Sequence, residues 1–164
     1  RVPCLAYSFE LARQGKFDAK RAQALGIPLK QWGVLQHGEA IWHEDRWIQP
    51  EDVLGPKRRG LKITYATDCR PSPALAELAE GSDLLIAEGL YGDDQKQRGA
   101  AEKGHMVFSE AAKIARQAQV KELWLTHYSP AMTNPADFLS AATDIFPQAF
   151  CGDNLMFKTL RFQD

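Results

Sequence analysis

The apolar positions of this chain fall into short continuous runs, each closed by polar or chain-breaking residues. Leu61-Lys62-Ile63-Thr64-Tyr65-Ala66-Thr67, Asp83-Leu84-Leu85-Ile86-Ala87 and Glu122-Leu123-Trp124-Leu125-Thr126 have the length and composition of strands. Helical signals lie between them. Ser72 is the cap of a helix predicted over 73–80, and a helix over 109–119 carries Ala112, Ala115 and Ala118, which permit close packing on a sheet. A further helix is predicted over 135–145, and one or two short strands over 148–162. Upstream, the pattern predicts a strand over 2–9, a helix over 17–25 capped by Asp18 and stopped by Gly26 and Pro28, and a short helix over 28–36 ended by Gly38. A hairpin over 40–48 carries Trp42 and Trp47, and 50–60 reads as a loop punctuated by Pro56 and Gly60. Strands alternating with helices imply an α/β layer architecture.

The length of 164 residues suggests one domain, 1–164, with no evident repeat or linker. A hydrophobic content of 45% with 25% charged residues is that of an ordinary globular chain. The formal net charge of -1 gives no global field favouring nucleic acid. The cluster Lys57-Arg58-Arg59 fits either a phosphate contact or a solvated turn before a strand. Three widely spaced cysteines, Cys4, Cys69 and Cys151, form neither a disulfide framework nor a zinc knuckle, so a reducing cytoplasm is expected. No segment is apolar over the roughly 18 residues a membrane span needs. The opening Arg1-Val2-Pro3-Cys4 lacks a methionine and is already strand-like, which suggests a piece of something longer.

Candidate chemistry gathers where strands end. Asp68 follows Thr67, Glu88 follows Ala87, His127 follows Thr126, and His105 lies in a loop before the helix over 109–119. If the three strands are parallel neighbours, these groups share one edge of the sheet, where α/β sheets place their sites. Asp68 and His127 are oxygen and nitrogen donors suited to zinc, manganese or iron. His105 suits proton donation or a phosphate contact, and Glu88 can fix its tautomer. Each also has a plain role: a turn aspartate, or a hydrogen-bonded structural histidine. Cys69 fits a thiolate ligand or a small buried side chain. His37 and His43 are expected on the surface.

The order of these pieces resembles the ribonuclease Z family, of the metallo-β-lactamase fold. The string Pro50-Glu51-Asp52-Val53-Leu54-Gly55-Pro56, followed by Gly60 to Pro71, is similar to the stretch carrying that family's Gly-Asp-Thr motif. Asp83 to Leu90 resembles its His-Glu-Ala-Thr loop, Gly104-His105-Met106-Val107 its His-Ser-Thr loop, and Leu125 to Pro130 the segment of its last metal histidine. Pro3 to Phe9 resembles the strand after its third metal motif, and Phe146-Pro147 and Asp153 fit its C-terminal pattern. The resemblance implies the C-terminal half of an αββα sandwich: a mixed sheet with helices on one face, and an arm-like insertion and hairpin over 10–50. It implies metal binding by Asp68 and His127, proton donation or phosphate contact by His105 with support from Glu88, and two zinc ions in the full-length parent. The implied substrate is a phosphodiester, typically the 3′ trailer of precursor tRNA.

Several family positions differ. The His-x-His-x-Asp-His motif is absent. Thr67 and Cys69 flank Asp68 in place of glycine and threonine, Ala87 stands in place of histidine, and Gly89-Leu90 in place of Ala-Thr. Met106-Val107 replaces Ser-Thr, Ala131-Met132 replaces an Arg-Tyr pair, and Gly26 to Lys30 matches the tRNA-gripping arm only in part. The isolated chain is therefore expected to bind zinc weakly or not at all, to be inactive, to lack its N-terminal half as partner and to form a homo-oligomer. Two other readings stay open: a hydrolase of another small phosphodiester, ester or lactone on the same scaffold, and a metal-free interaction module. A third reading, an unrelated doubly wound nucleotide-binding domain, is disfavoured because no strand of this chain is followed by a glycine-rich phosphate loop.

Overall fold

The computed structural model describes residues 3–163. The first strand, β1 (Ala6–Arg13), begins later and runs further than expected, and Val2 lies outside the described residues. Asp18 caps α1 (Ala19–Ala24) by accepting from the Arg21 N–H at 3.0 Å. Helix α2 (Leu29–Gln36) stops before Gly38, whose φ of 87° suits glycine. Strands β2 (Ile41–His43) and β3 (Arg46–Ile48) form the expected hairpin, with Trp42 and Trp47 paired edge to face at 5.6 Å.

Residues 50–60 are only partly a loop. Pro50–Asp52 forms a 3₁₀ turn, and Arg58 and Arg59 already belong to β4 (Arg58–Ala66) rather than to a solvated turn. Ser72 caps α3 (Pro73–Ala79), accepting from the Leu75 N–H at 3.1 Å. Then come β5 (Leu84–Glu88), α4 (Gln97–Lys103), α5 (Phe108–Gln117), β6 (Leu123–Thr126), α6 (Ser140–Thr143) and β7 (Ala149–Cys151). Helix α4 is not expected from the pattern, because Gln97-Arg98-Gly99-Ala100-Ala101-Glu102-Lys103 carries no large apolar stripe. The helix expected over 135–145 divides into a 3₁₀ turn, Pro135–Phe138, and the single turn of α6. Only Ala149–Cys151 of the tail is strand.

The described residues group into two compact units, 3–10 with 61–161, and 11–60 with 162–163. The second has its own small core of Ala22, Ile27, Leu35, Ile41, Ile48 and Val53. The main sheet has the order β1-β4-β5-β6-β7, and β4 through β7 run parallel. Ser8 meets Thr64 and Glu10 meets Lys62, so residue numbers run in opposite senses on β1 and β4. That antiparallel edge makes the sheet mixed.

One face of the sheet is packed by helices. Ala66, Leu85, Ala87, Leu123 and Leu125 meet Phe108, Ala111, Ala112 and Ala115 of α5, with Leu75, Ala76 and Ala79 of α3. The small side chains of α5, Ala112, Ala115 and Ala118 among them, are buried, as a helix lying close on a sheet requires. The other face carries the registered row Tyr65, Ile86, Trp124, Phe150. Tyr65 is 41% and Phe150 39% exposed, and Tyr7 and Phe9 on β1 are more exposed still.

Candidate functional site

The sheet order puts the carboxyl ends of β4, β5 and β6 side by side, so Asp68, Glu88 and His127 emerge on one rim. Asp68 and His127 both leave their strands in the left-handed region, with φ of 53° and 57°. Non-glycine residues seldom adopt it, aspartate and histidine more readily than most. The turn brings His127 Nε2 within 3.3 Å of Asp68 Oδ1. The Gly104-His105 loop delivers the second ring, and the His105 and His127 centroids lie 5.4 Å apart. One ligand atom each from Asp68, His105 and His127 lies within 4.8 Å of the others. An oxygen and two ring nitrogens at that spacing form a donor set that a borderline divalent ion takes, with room for more ligands.

Glu88 ends β5 and is fully buried. Its Oε1 accepts the Cys69 N–H, and its Oε2 accepts the Met106 N–H at 3.3 Å and lies 3.0 Å from His105 Nδ1. Burial raises its pKa, against the opposing pull of the Cys69 N–H and the His105 ring. With two backbone donors already aimed at this carboxylate, the third partner also donates. A proton on Nδ1 of His105 completes that arrangement and leaves Nε2 unbound by Glu88.

A second buried carboxylate fixes the loop itself. Glu110 receives both terminal nitrogens of Arg70, at 2.9 and 3.1 Å, the Gln97 amide and the Val107 N–H. Arg70 also donates to the His105 carbonyl at 2.6 Å. The sequence reading missed this bracket. Its one signal was Glu110 three residues after the helix entry at Val107, a capping-box spacing. Burial alone would raise the Glu110 pKa, but the bonds from Gln97, Arg70 and Val107 prevail and lower it. The stabilisation is then fully present above the ordinary carboxylate value of about 4.3 and is lost as pH falls through the lower folded value. Glu110→Gln should therefore flatten the acid limb of thermal stability against pH, read by circular dichroism melts.

Cys69 is half-buried, and burial foremost, with the nearby Glu88 charge, pushes its thiol up to about 12. That favours the small side-chain role over a thiolate. His37 is exposed as expected, whereas His43 is a correction: its side chain is only 13% exposed, tucked at the hairpin end 3.8 Å from Glu44. An open cleft of about 1100 Å³ runs from Cys4 and Tyr7 past Asp68 and Arg70 to Lys103 and His105. Among the described residues, no helix is long and apolar enough to cross a membrane.

The family model described as the beta-lactamase superfamily domain matches residues 34–128, more than half of the chain. The Ribonuclease Z of Lachnoclostridium phytofermentans is 46% identical over 161 residues, covering 98% of this chain and 53% of that protein. The Ribonuclease Z of Clostridium acetobutylicum is 45% identical over 163 residues, covering 99% of this chain and 53% of that protein. The chain thus spans about half the length of the curated relatives it matches. The crystal structure of human tRNase Z, short form, aligns with a TM-score of 0.47 at 22% identity, over 72% of this chain and 40% of that one.

Proposed function

The chain belongs to the β-lactamase superfamily, and from that premise we propose that it forms one half of the reaction centre of a metal-dependent phosphodiesterase of the ribonuclease Z type. The substrate is the 3′ trailer junction of precursor tRNA, and the compartment is the reducing cytoplasm, in keeping with three free thiols. The observation that carries this reading is the meeting of Asp68, His105 and His127 within 4.8 Å, on one rim.

Asp68 and His127 hold divalent ions, zinc first, with manganese and iron as substitutes. When bound, the ions activate water and neutralise charge on the phosphoryl oxygens. His105 acts through Nε2, the ring nitrogen not bonded to Glu88, and gives its proton to the leaving alkoxide. Glu88 keeps Nδ1 protonated and stabilises the ring while it is charged.

A panel of chromogenic substrates on the full-length protein tests the reaction class. Turnover of bis(p-nitrophenyl) phosphate supports it, and turnover of carboxylic esters or lactones alone overturns it. The ester reading draws on one observation: Met106 and Val107 are fully buried and present no hydroxyl on the phosphate side.

The isolated chain should be inactive. Two ligands, Asp68 and His127, leave a zinc shell open, so titration calorimetry should show at most weak zinc binding, and stoichiometric submicromolar binding would contradict this. Its uncovered apolar face, the surface proposed to meet the other half of the parent, should drive self-association. Light scattering that reports a clean monomer would refute that part.

A further inference from the structure

An arginine beside a phosphodiesterase centre commonly grips phosphate, and Arg70 lines the same open cleft as Asp68 and His105. Its bonds point to another role. Nη1 donates to the His105 carbonyl at 2.6 Å and to Glu110 Oε2 at 3.1 Å, and Nη2 donates to Glu110 Oε1 at 2.9 Å. Both hydrogens of Nη1 are thereby used, and the charge is matched by a carboxylate whose side chain is 7% exposed. The pairing is bidentate, and the Gln97 amide and the Val107 N–H hold Glu110 in place behind it. An arginine bound in this way has its charge and its planar fork already engaged.

The turn after Asp68 reaches His105 twice. The Cys69 N–H donates to Glu88 Oε1, and Glu88 Oε2 lies 3.0 Å from Nδ1 of the ring. The next residue, Arg70, holds the carbonyl. Ring and backbone of His105 are thus fixed from two consecutive residues, and these directly follow a proposed metal ligand. We propose that Arg70 is a positioning residue, which sets His105 where its ring can serve the leaving group, and not a ligand of the substrate phosphate. The proposal rests on the phosphodiesterase reading and deepens it by separating support of the acid from binding of the substrate.

The test is the kinetics of the full-length protein on a precursor tRNA transcript and on bis(p-nitrophenyl) phosphate, with Arg70→Ala, His105→Ala and the two combined. Arg70→Ala should lower kcat on the transcript by about 10²-fold, the order lost when a reacting group is misplaced, with KM within about twofold of wild type. On the nitrophenyl diester, whose leaving group needs little protonation, the loss should stay below about fivefold. Added to His105→Ala, Arg70→Ala should cost less than about a further twofold, since both remove one function. Loss of a phosphate ligand would instead raise KM, fall on both substrates alike and add to the loss of His105; any of these results would overturn the proposal. Arg70→Ala leaves the Glu110 charge unpaired, so Arg70→Met/Glu110→Gln, which removes both charges, is the second variant and should show the same fall in kcat. Wild-type kcat in that variant would also overturn it. Amide hydrogen exchange over 104–107 reads the hold on the loop without turnover, and should quicken by about tenfold in either variant. Unchanged exchange sinks the positioning role whatever the kinetics. A wild type that hydrolyses no phosphodiester would count against the phosphodiesterase reading, while the exchange rates still decide whether Arg70 holds the loop.

Discussion

Replacing His105 by alanine in the full-length protein should lower phosphodiester turnover by about 10²–10⁴-fold, the range for losing a positioned acid. The ring earns that expectation from its surroundings. Its Nδ1 is committed to Glu88, its carbonyl is held by Arg70, and its ring lies 5.4 Å from that of His127. The loss should fall on kcat, because the proton moves in the transition state and not on binding. It should also be smaller for a substrate with a nitrophenolate leaving group, which needs little protonation, than for RNA. A kcat within twofold of wild type on RNA would remove His105 from the mechanism. Because His105 also lies among the possible ligands, metal content is measured on the same variant; retained metal assigns the loss to acid chemistry.

The second large effect concerns Glu88. Glu88→Ala should destabilise the fold by about 2–4 kcal/mol, since it strands the N–H groups of half-buried Cys69 and buried Met106 and frees the His105 ring. Glu88→Gln is the sharper probe. An amide keeps the volume and one acceptor, but its NH₂ faces donors. The ring can answer by moving its proton from Nδ1 to Nε2, so that Nδ1 accepts from the amide. The expected outcome is a folded variant, impaired in turnover, whose imidazole nitrogen NMR shifts report the opposite tautomer. Unchanged shifts and unchanged kcat would show that Glu88 is only a buried structural acid.

The strands that build the rim were legible because their apolar runs end abruptly in Asp68 and His127, and the chain order of the motifs carried the family resemblance. The limits of the edge strand, and helix α4, were not. Edge residues such as Tyr7 and Phe9 read like any strand, and their later limits depend on pairing with β4. Helix α4 is short and alanine-based, and it is closed by Gly104 at φ 88° rather than by a periodic stripe. The site followed the same divide. Which residues stand at strand ends is a local property. That Arg70 reaches across to Glu110 and the His105 carbonyl is a long-range one, invisible to spacing. The environment of His43 was also misjudged, because burial at a hairpin end depends on packing and not on its polar neighbours.

Asp68 and His127 are proposed to bind the ions of a shared reaction centre. The most direct measurement is metal stoichiometry, by elemental analysis, of the full-length protein and of its Asp68→Asn and His127→Ala variants, each shown to be folded by its melting curve. The account predicts two ions per wild-type chain, a loss in both variants, and phosphodiester turnover that falls with it. Full metal content in both folded variants would contradict it.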